Sequence, residues 1–367
     1  RLLAEGAAQL GHRAIRIPHN MVRPPSLDDG EAWRLAGYSC LGDRFDIKQG
    51  PTQTFLKDAV QSGARLAPRT CVLRILIERG AAVGVVAAVQ SSREPDAPAR
   101  ILNIRAERVV VSAGALHTPV LLQKSGLKHP QIGRNLYLHP VAIVPGYYPE
   151  PTHPWQGPMM TTLIDAWARL DRNWGVRIEN PPVHPGLTAA AMIWESGPDF
   201  KEAMRRLPFL SAHICLTRDR FGGQVRAGKR SGQPIVTYRL NPYDRAHLIR
   251  GMQESARLHA AAGAEQISIL HQSTPLHWRR NDDIERLVAQ IPQLDWSRNR
   301  FGLFSAHQMG TCRMGGRSDC PVKPNGETRE ARRLYVADTS LFPSASGANP
   351  MLSAQALAWY VAGHIAG

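Results

Sequence analysis

Three short runs of apolar residues follow one another early in the chain, and turn or polar residues separate them. The runs are Val72–Ile77, Val83–Val89 and Ile101–Ile104. Runs of this length that are rich in β-branched residues and bounded by turn residues are typical of β-strands. The pattern therefore predicts a small β-meander whose first two strands are joined at Arg79-Gly80.

A different pattern begins at residue 107. The run Val109-Val110-Val111 is wholly apolar, as in a strand that is buried on both faces of a parallel sheet. Small residues follow it, and Thr118-Pro119 then favours the start of a helix that ends at Gly126. Leu334–Ala337 is a second short strand, and it ends in the carboxylate of Asp338. Strand, small-residue turn and helix form the geometry of a nucleotide-binding α/β unit, where ligands lie at the carboxyl ends of strands.

The remaining patterns predict helices and a second lobe. Residues 31–50 are loop-like and residues 141–300 are typical of an α+β lobe, because aromatic residues alternate there with Pro-rich turns. The final helix is apolar almost all round, which predicts that it is buried. Residues 1–10 are predicted to be the end of a helix that stops at Gly11, and further helices are predicted at Thr52–Ser62, Asp244–Ala262 and Pro350–Ile365. The fold class predicted from these elements is α/β plus α+β.

Composition narrows the function classes. The chain has 367 residues, and 43% of them are hydrophobic, so it can form a sizeable core. The net charge of +15 would suit a nucleic-acid partner, but the basic residues are scattered and no binding motif accompanies them. We therefore expect no nucleic-acid partner, while peripheral contact with an anionic membrane stays open.

The cysteines give no sign of a metal site. Five cysteines occur without a C-x-x-C pair, which favours reduced thiols and a cytoplasmic location over a zinc site or a disulfide framework. No run of about 18 apolar residues occurs, so no transmembrane helix is expected.

Two segments near the end of the chain carry the candidate chemistry. Ser305–Gly315 contains His307 followed by Met-Gly-Thr-Cys-Arg-Met-Gly, and Tyr335–Met351 ends in Asn349-Pro350-Met351. Histidine titrates near neutral pH and can therefore act as a general base, while a buried structural role is the alternative for His307. Asn349 before a proline is typical of a helix N-cap, with Pro350 at the first helical position.

Together the two segments closely resemble the C-terminal signature of the glucose–methanol–choline (GMC) oxidoreductases. Ser112–Pro119 resembles the second signature of that family, and Gly133–Leu136 with Leu138-His139-Pro140 is similar to its long-chain alcohol oxidase branch. The resemblance covers most of residues 30–145 and 225–367, and it is thin across 150–220.

The resemblance implies an FAD-dependent enzyme that oxidises a primary alcohol to an aldehyde, with a long-chain alcohol as one candidate. Oxygen or another acceptor would take the electrons. His307 would act as the base during hydride transfer to flavin N5, and Asn349 would donate a hydrogen bond to the alcohol oxygen. The positions that match cofactor-contacting residues are Val72, Ala113, Gly114, Asp338, Pro350 and Met351. For Asp338, a turn or cap role is the alternative.

The same resemblance divides the chain. Residues 1–145 would be a partial FAD-binding domain, residues 146–300 the substrate-binding domain of antiparallel sheet and helices, and residues 301–367 the return to the first domain with the catalytic residues. A dinucleotide fold should contain G-x-G-x-x-G after its first strand, and this sequence has none. The expected domain is therefore a Rossmann-like one without its first βαβ unit, and we expect this chain to bind FAD weakly or not at all. The alternatives are oxidation of a sterol or another alcohol on the same fold, or a truncated and catalytically silent fragment.

Overall fold

The computed structural model describes residues 1–91, 98–181, 183–229 and 232–367. Nine α-helices lie within these ranges: α1 (Leu2–Gln9), α2 (Asp29–Ala36), α3 (Phe55–Gln61), α4 (Gly114–Lys124), α5 (Pro185–Ala191), α6 (Gly197–Arg205), α7 (Pro242–Ala261), α8 (Ile284–Gln290) and α9 (Met351–Ala366). The strands of the same ranges are β1 (Ile15–Arg16), β2 (Thr70–Glu78), β3 (Ala81–Val89), β4 (Arg100–Arg105), β5 (Val109–Val111), β6 (Arg134–Leu136), β7 (Val141–Tyr147), β8 (Thr162–Ile164), β9 (Val176–Glu179), β10 (Leu210–Thr217), β11 (Gly223–Ala227), β12 (Pro234–Thr237), β13 (Gln266–Ile269), β14 (Leu276–Arg279), β15 (Leu303–Phe304) and β16 (Leu334–Val336).

The chain forms two compact units, each assembled from three separate segments. Unit 1 consists of Arg1–Arg65, Pro140–Thr217 and Arg245–Phe304, and unit 2 consists of Leu66–His139, Arg218–Asp244 and Ser305–Gly367. The two units are defined by the contacts within each of them and not by what each of them binds. The division into cofactor and substrate domains at residues 145 and 300 stays a prediction.

Unit 1 is built on one antiparallel sheet. Its strands lie in the order β1-β8-β9-β10-β7-β13-β14, and β15 also pairs with β7. All eight residues of the central strand β10 are buried. The long helix α7 packs closely here, because a Cβ on Gly251 would lie only 2.6 Å from the Val176 side chain.

Unit 2 contains three smaller sheets. The predicted meander is present as the antiparallel sheet β2-β3-β4, and β12-β11-β6 form a second antiparallel sheet. β5 and β16 pair in parallel, with Val109 opposite Leu334 and Val111 opposite Val336. Because the two strands run the same way, the residues that follow them, Ser112 and Ala337, emerge at the same edge.

Helix α4 begins earlier than the local pattern predicts, and helix α2 forms where no helix was predicted. Helix α4 begins at Gly114, four residues before the expected start, so Pro119 lies inside the helix rather than in its first turn. Residues 29–36 form α2, where a loop was expected; Asp28 caps it by accepting a hydrogen bond from the Glu31 N–H. The prediction of a loop across this segment was therefore wrong at its start.

The prediction that the final helix is buried was wrong. Leu352 and Trp359 of α9 are 72% and 73% exposed. The helix packs through one stripe, in which buried Val361 is flanked by Leu357 and Ile365. An apolar composition therefore does not bring every face of this helix into the core. None of the helices in the described ranges is both long enough and apolar enough to cross a membrane.

Candidate active site

The segment that follows His307 is held between two other segments of unit 2. Met309 exchanges a pair of 3.0 Å backbone hydrogen bonds with Tyr137 on one side. On the other side the Gly310 N–H donates to the Thr339 carbonyl, and the Cys312 N–H donates to the Ser340 carbonyl. This double pairing fixes the backbone directly after His307, so the position of the imidazole is set by the fold.

Glycine is required at position 310 of this segment. Its φ of +89° is in the left-handed region, which favours glycine. A Cβ there would also lie 2.5 Å from the Asn135 carbonyl oxygen and 2.7 Å from the Tyr137 ring. The Met-Gly-Thr motif therefore depends on the absence of a side chain at this point.

Thr311 joins the same segment to helix α4. Pro119 has no N–H, so it cannot donate to the carbonyl of Ala115, four residues earlier in the helix. The Thr311 hydroxyl donates to that carbonyl instead, at 2.6 Å, and both residues are buried. The threonine of the motif thus supplies the hydrogen bond that the proline removes.

A histidine pair lies at the centre of the candidate site. The Nδ1 atoms of His139 and His307 are 3.1 Å apart, and the two rings are nearly perpendicular, at 87°. On its other side the His139 ring accepts a hydrogen bond from the Gly347 N–H at Nε2, 3.0 Å away. His139 thus connects the two late segments in which the chemistry was predicted, because Gly347 lies two residues before Asn349.

The two histidines differ in their surroundings. His139 is completely buried, whereas His307 is only half-buried, so one part of the His307 ring is accessible. Burial lowers the pKa of His307, because the charged imidazolium is more costly to desolvate than the neutral ring. The lowered pKa favours the neutral imidazole, which is the form that a general base needs.

The backbone of His139 is strained and clamped. Its φ of +48° lies in the left-handed region that non-glycine residues rarely adopt. The buried Asp219 carboxylate accepts the N–H groups of Leu138 and His139, at 2.9 and 3.2 Å, and the Tyr238 hydroxyl at 3.1 Å. Burial raises the pKa of Asp219 to about 6. Strained residues cluster at functional sites, where the surrounding structure holds them in place.

Asn349, Pro350 and Met351 lie at the start of helix α9. The helix begins at Met351 with Pro350 as its N-cap, so the predicted N-cap role of Asn349 was wrong. Pro350 provides no side-chain cap and the first turn carries no acidic residue, so the helix end carries the partial positive charge that is usual for an N-terminus. Asn349 and Met351 are exposed, whereas Pro350 is buried.

Asp338 organises the turn between β5 and α4. Its carboxylate accepts the Gly114 N–H at 2.9 Å, the Thr118 hydroxyl, and the Ser340 N–H at 2.7 Å. The turn and cap role that was the alternative for Asp338 is therefore present. Ala113 is exposed beside it, and the space beyond Gly114 is open, since a Cβ there would meet nothing within 4 Å among the described residues.

Val72 lies in β2 at one edge of the meander sheet. Among the contacts of the described residues, none joins it to the segments around His307, and its place in a cofactor site stays a prediction. His139, Asp219 and Thr311 were not selected from the sequence as site residues. The signal available for His139 was its place in Leu138-His139-Pro140, within the segment that resembles the long-chain alcohol oxidases.

The comparisons with known proteins agree with the predicted family. Models described as GMC oxidoreductase match residues 1–141 and 220–358. The long-chain-alcohol oxidase FAO4A of Arabidopsis thaliana is 32% identical over 379 residues, covering 98% of this chain and 49% of its own length. The chain spans about half the length of the curated relatives that it matches.

Solved structures of low sequence identity share the fold. Pyridoxine 4-oxidase from Mesorbium loti has a TM-score of 0.58 at 18% identity, covering 80% of this chain and 56% of that protein. An FAD-dependent oxidoreductase from Chaetomium thermophilum has a TM-score of 0.58 at 17% identity, covering 93% and 72%. The mixed α/β architecture with antiparallel sheets is thereby confirmed. Both family models and the sequence relatives lead to one conclusion: the chain belongs to the GMC oxidoreductase family.

Proposed function

We propose that this chain is part of an enzyme that oxidises a primary alcohol to an aldehyde with FAD as its cofactor. The observation that carries the proposal is the His139 ring, which contacts His307 on one side and the loop before Asn349 on the other. Family membership and the alcohol oxidase named among the relatives support the same chemistry. When bound, FAD accepts the hydride that leaves the alcohol carbon.

Several features of unit 2 fit FAD as part of a Rossmann-like domain. The N-terminus of α9, whose first turn carries no acidic residue, can stabilise negative charge, as helix N-termini do for anions generally. Pro350 and Met351 are the residues at this end. At the carboxyl end of β5, Ala113 and Gly114 let a ring system approach the backbone closely. We assign Asp338 an indirect part, because its carboxylate holds this turn in shape. Val72 would contribute through its backbone.

In the proposed reaction His307 is the base that accepts the hydroxyl proton of the alcohol. Its accessible ring and lowered pKa suit a base that operates near neutral pH. Asn349 would donate a side-chain hydrogen bond to the alcohol oxygen as negative charge develops there, which is the usual means of stabilising an alkoxide-like transition state. The positions of both residues depend on the buried core of Tyr137, Met309 and Phe342, which packs against α9.

A long-chain alcohol is the substrate class that we favour. Several of the relatives are long-chain-alcohol oxidases by name. An alkyl chain gains free energy on leaving water, about 0.8 kcal/mol for each buried CH₂ group. Oxygen or another acceptor would then reoxidise the cofactor.

The test uses protein expressed from its complete reading frame and loaded with FAD. Flavin bleaching is followed on mixing with primary alcohols of rising chain length. His307→Ala should slow bleaching by about 10²–10⁴-fold, the usual contribution of a positioned acid or base. His19→Ala is the control, because it removes an exposed histidine. Near-normal bleaching by the His307→Ala protein would remove this residue from the chemistry.

A further inference from the structure

The protonation of the histidine pair follows from its hydrogen bonds. A backbone N–H can only donate, so the bond from Gly347 requires a lone pair on Nε2 of His139. A neutral imidazole carries one proton, and which nitrogen bears it is set by the bond that the other nitrogen makes. The proton of His139 must therefore be on Nδ1.

The same reasoning extends to His307. The Nδ1 atom of His139 faces Nδ1 of His307 at 3.1 Å, so His139 donates and His307 accepts. A neutral His307 then carries its own proton on Nε2. In this arrangement the nitrogen of His307 that does not face His139 is a hydrogen-bond donor, and it has no lone pair with which to accept a proton.

A second arrangement of the same protons reverses these roles. If the Nδ1 proton of His139 passes to Nδ1 of His307, the Nε2 proton of His307 goes to solvent, and Nε2 of His139 takes up a proton from solvent once the Gly347 N–H has moved away. The number of protons on the pair is unchanged, and His307 Nε2 now has a free lone pair. The cost is the hydrogen bond from Gly347, because its N–H would then face the new N–H of His139.

The backbone around His139 holds its ring in the position from which it contacts both Gly347 and His307. The ring is completely buried, its residue has φ +48°, and the Asp219 carboxylate holds its N–H. On the other side of the pair, the Ser305 hydroxyl donates to the Leu138 carbonyl at 2.6 Å. This bond holds the backbone just before His307 next to the backbone just before His139. The His139 ring cannot turn away without losing the hydrogen bond from Gly347 as well as its contact with His307.

We propose that His139 is a positioning residue that fixes His307 as the Nε2–H tautomer, so that His307 presents a hydrogen-bond donor at Nε2 as long as Gly347 donates to His139. The protonation of the pair follows from geometry alone, and only its meaning for the alcohol rests on the proposed function. The hydrogen bond from His139 thus sets whether Nε2 of His307 is a donor or an acceptor towards a bound molecule.

The experiment reads the tautomer directly. The full chain is labelled with ¹⁵N-histidine, and long-range N–H correlation spectra are recorded above the titration of His307, whose signals are assigned by their loss in His307→Ala. Wild-type protein should show the proton of His307 on Nε2. In His139→Asp a carboxylate oxygen takes the place of the Nδ1 donor, so the proton of His307 should move to Nδ1. In His139→Phe neither tautomer is favoured, and a mixture should appear.

His213→Phe is the control, since it removes a buried histidine from unit 1 and should leave the His307 signals in place. A wild-type proton on Nδ1 of His307 would overturn the proposal, and so would an unchanged tautomer in His139→Asp. The tautomer of His307 in the wild-type protein is measured without any variant, so the proposal can be refuted even if His139→Asp fails to fold. The spectra do not depend on whether the protein oxidises alcohols. The proposal about the His307 tautomer and the proposed alcohol oxidation can therefore fail separately.

Discussion

Replacing Thr311 with valine tests the link between the motif and helix α4. Valine has nearly the shape of threonine, so the change leaves no cavity, but it removes the donor to the Ala115 carbonyl. That carbonyl is buried, and Pro119 offers no N–H in its place. A buried acceptor without a partner costs about 1–3 kcal/mol, and we expect Thr311→Val to lower the free energy of unfolding by that amount.

The same change should cost much less in a Pro119→Ala background. Alanine restores a backbone N–H that can donate to the Ala115 carbonyl, so the loss of the Thr311 hydroxyl no longer leaves the carbonyl unsatisfied. The two changes should therefore be coupled by about 1–3 kcal/mol in a double-mutant cycle. The coupling is measured by urea unfolding of the four proteins, with hydrogen exchange of the α4 amides as a local probe.

Equal costs of Thr311→Val in the two backgrounds would refute this reasoning. The hydroxyl would then stabilise the chain by some contact other than the bond to Ala115. Thr328→Val is the matched control, because its buried hydroxyl donates to the Ala331 carbonyl and has no relation to Pro119. Its cost should be the same with or without the proline.

Two further predictions concern pH and the cofactor. His213 and His259 stack in the core of unit 1 at 3.6 Å, and burial lowers both pKa values, that of His259 from 6.5 to about 4. Their contribution to stability is present in full above pH 6.5 and is lost as the pH falls towards 4, because the unfolded chain binds the protons first. A shift of this size corresponds to about 3 kcal/mol for His259, so urea midpoints measured from pH 7 downwards should fall less steeply in His259→Asn; an equal slope would contradict the assignment. The sequence lacks G-x-G-x-x-G, so the purified 367-residue chain should lose added FAD on dialysis, and stoichiometric flavin absorbance afterwards would show that expectation to be wrong.

Local sequence patterns predicted the elements whose partners lie nearby. The meander followed from short β-branched runs and the Arg79-Gly80 turn, and both turn residues have positive φ as a tight hairpin requires. The strands β5 and β16 were also recognisable, although they pair with each other from distant parts of the sequence, because each is a short apolar run. The resemblance also led to His307, since its motif is distinctive in the sequence itself.

Features that depend on distant residues were not predictable in this way. Pro119 was assigned to a helix start by a local rule, but its missing donor is replaced by Thr311, 196 residues away from the accepting Ala115. The role of His139 depends on the Gly347 N–H, and nothing in the sequence around position 139 shows that contact. Nor does the apolar composition of α9 show that only one of its sides meets the core.

The exposed side of α9 has a practical consequence for handling the protein. Leu352 and Trp359 present apolar surface to water, and the edge strand β4 adds Ile101 and Leu102. Surfaces of this kind favour contact between molecules, whereas the net charge of +15 keeps copies apart. Salt shortens the range of that repulsion from about 30 Å at 0.01 M to about 8 Å at 0.15 M, so this chain should stay dispersed in dilute buffer and cluster as salt is added.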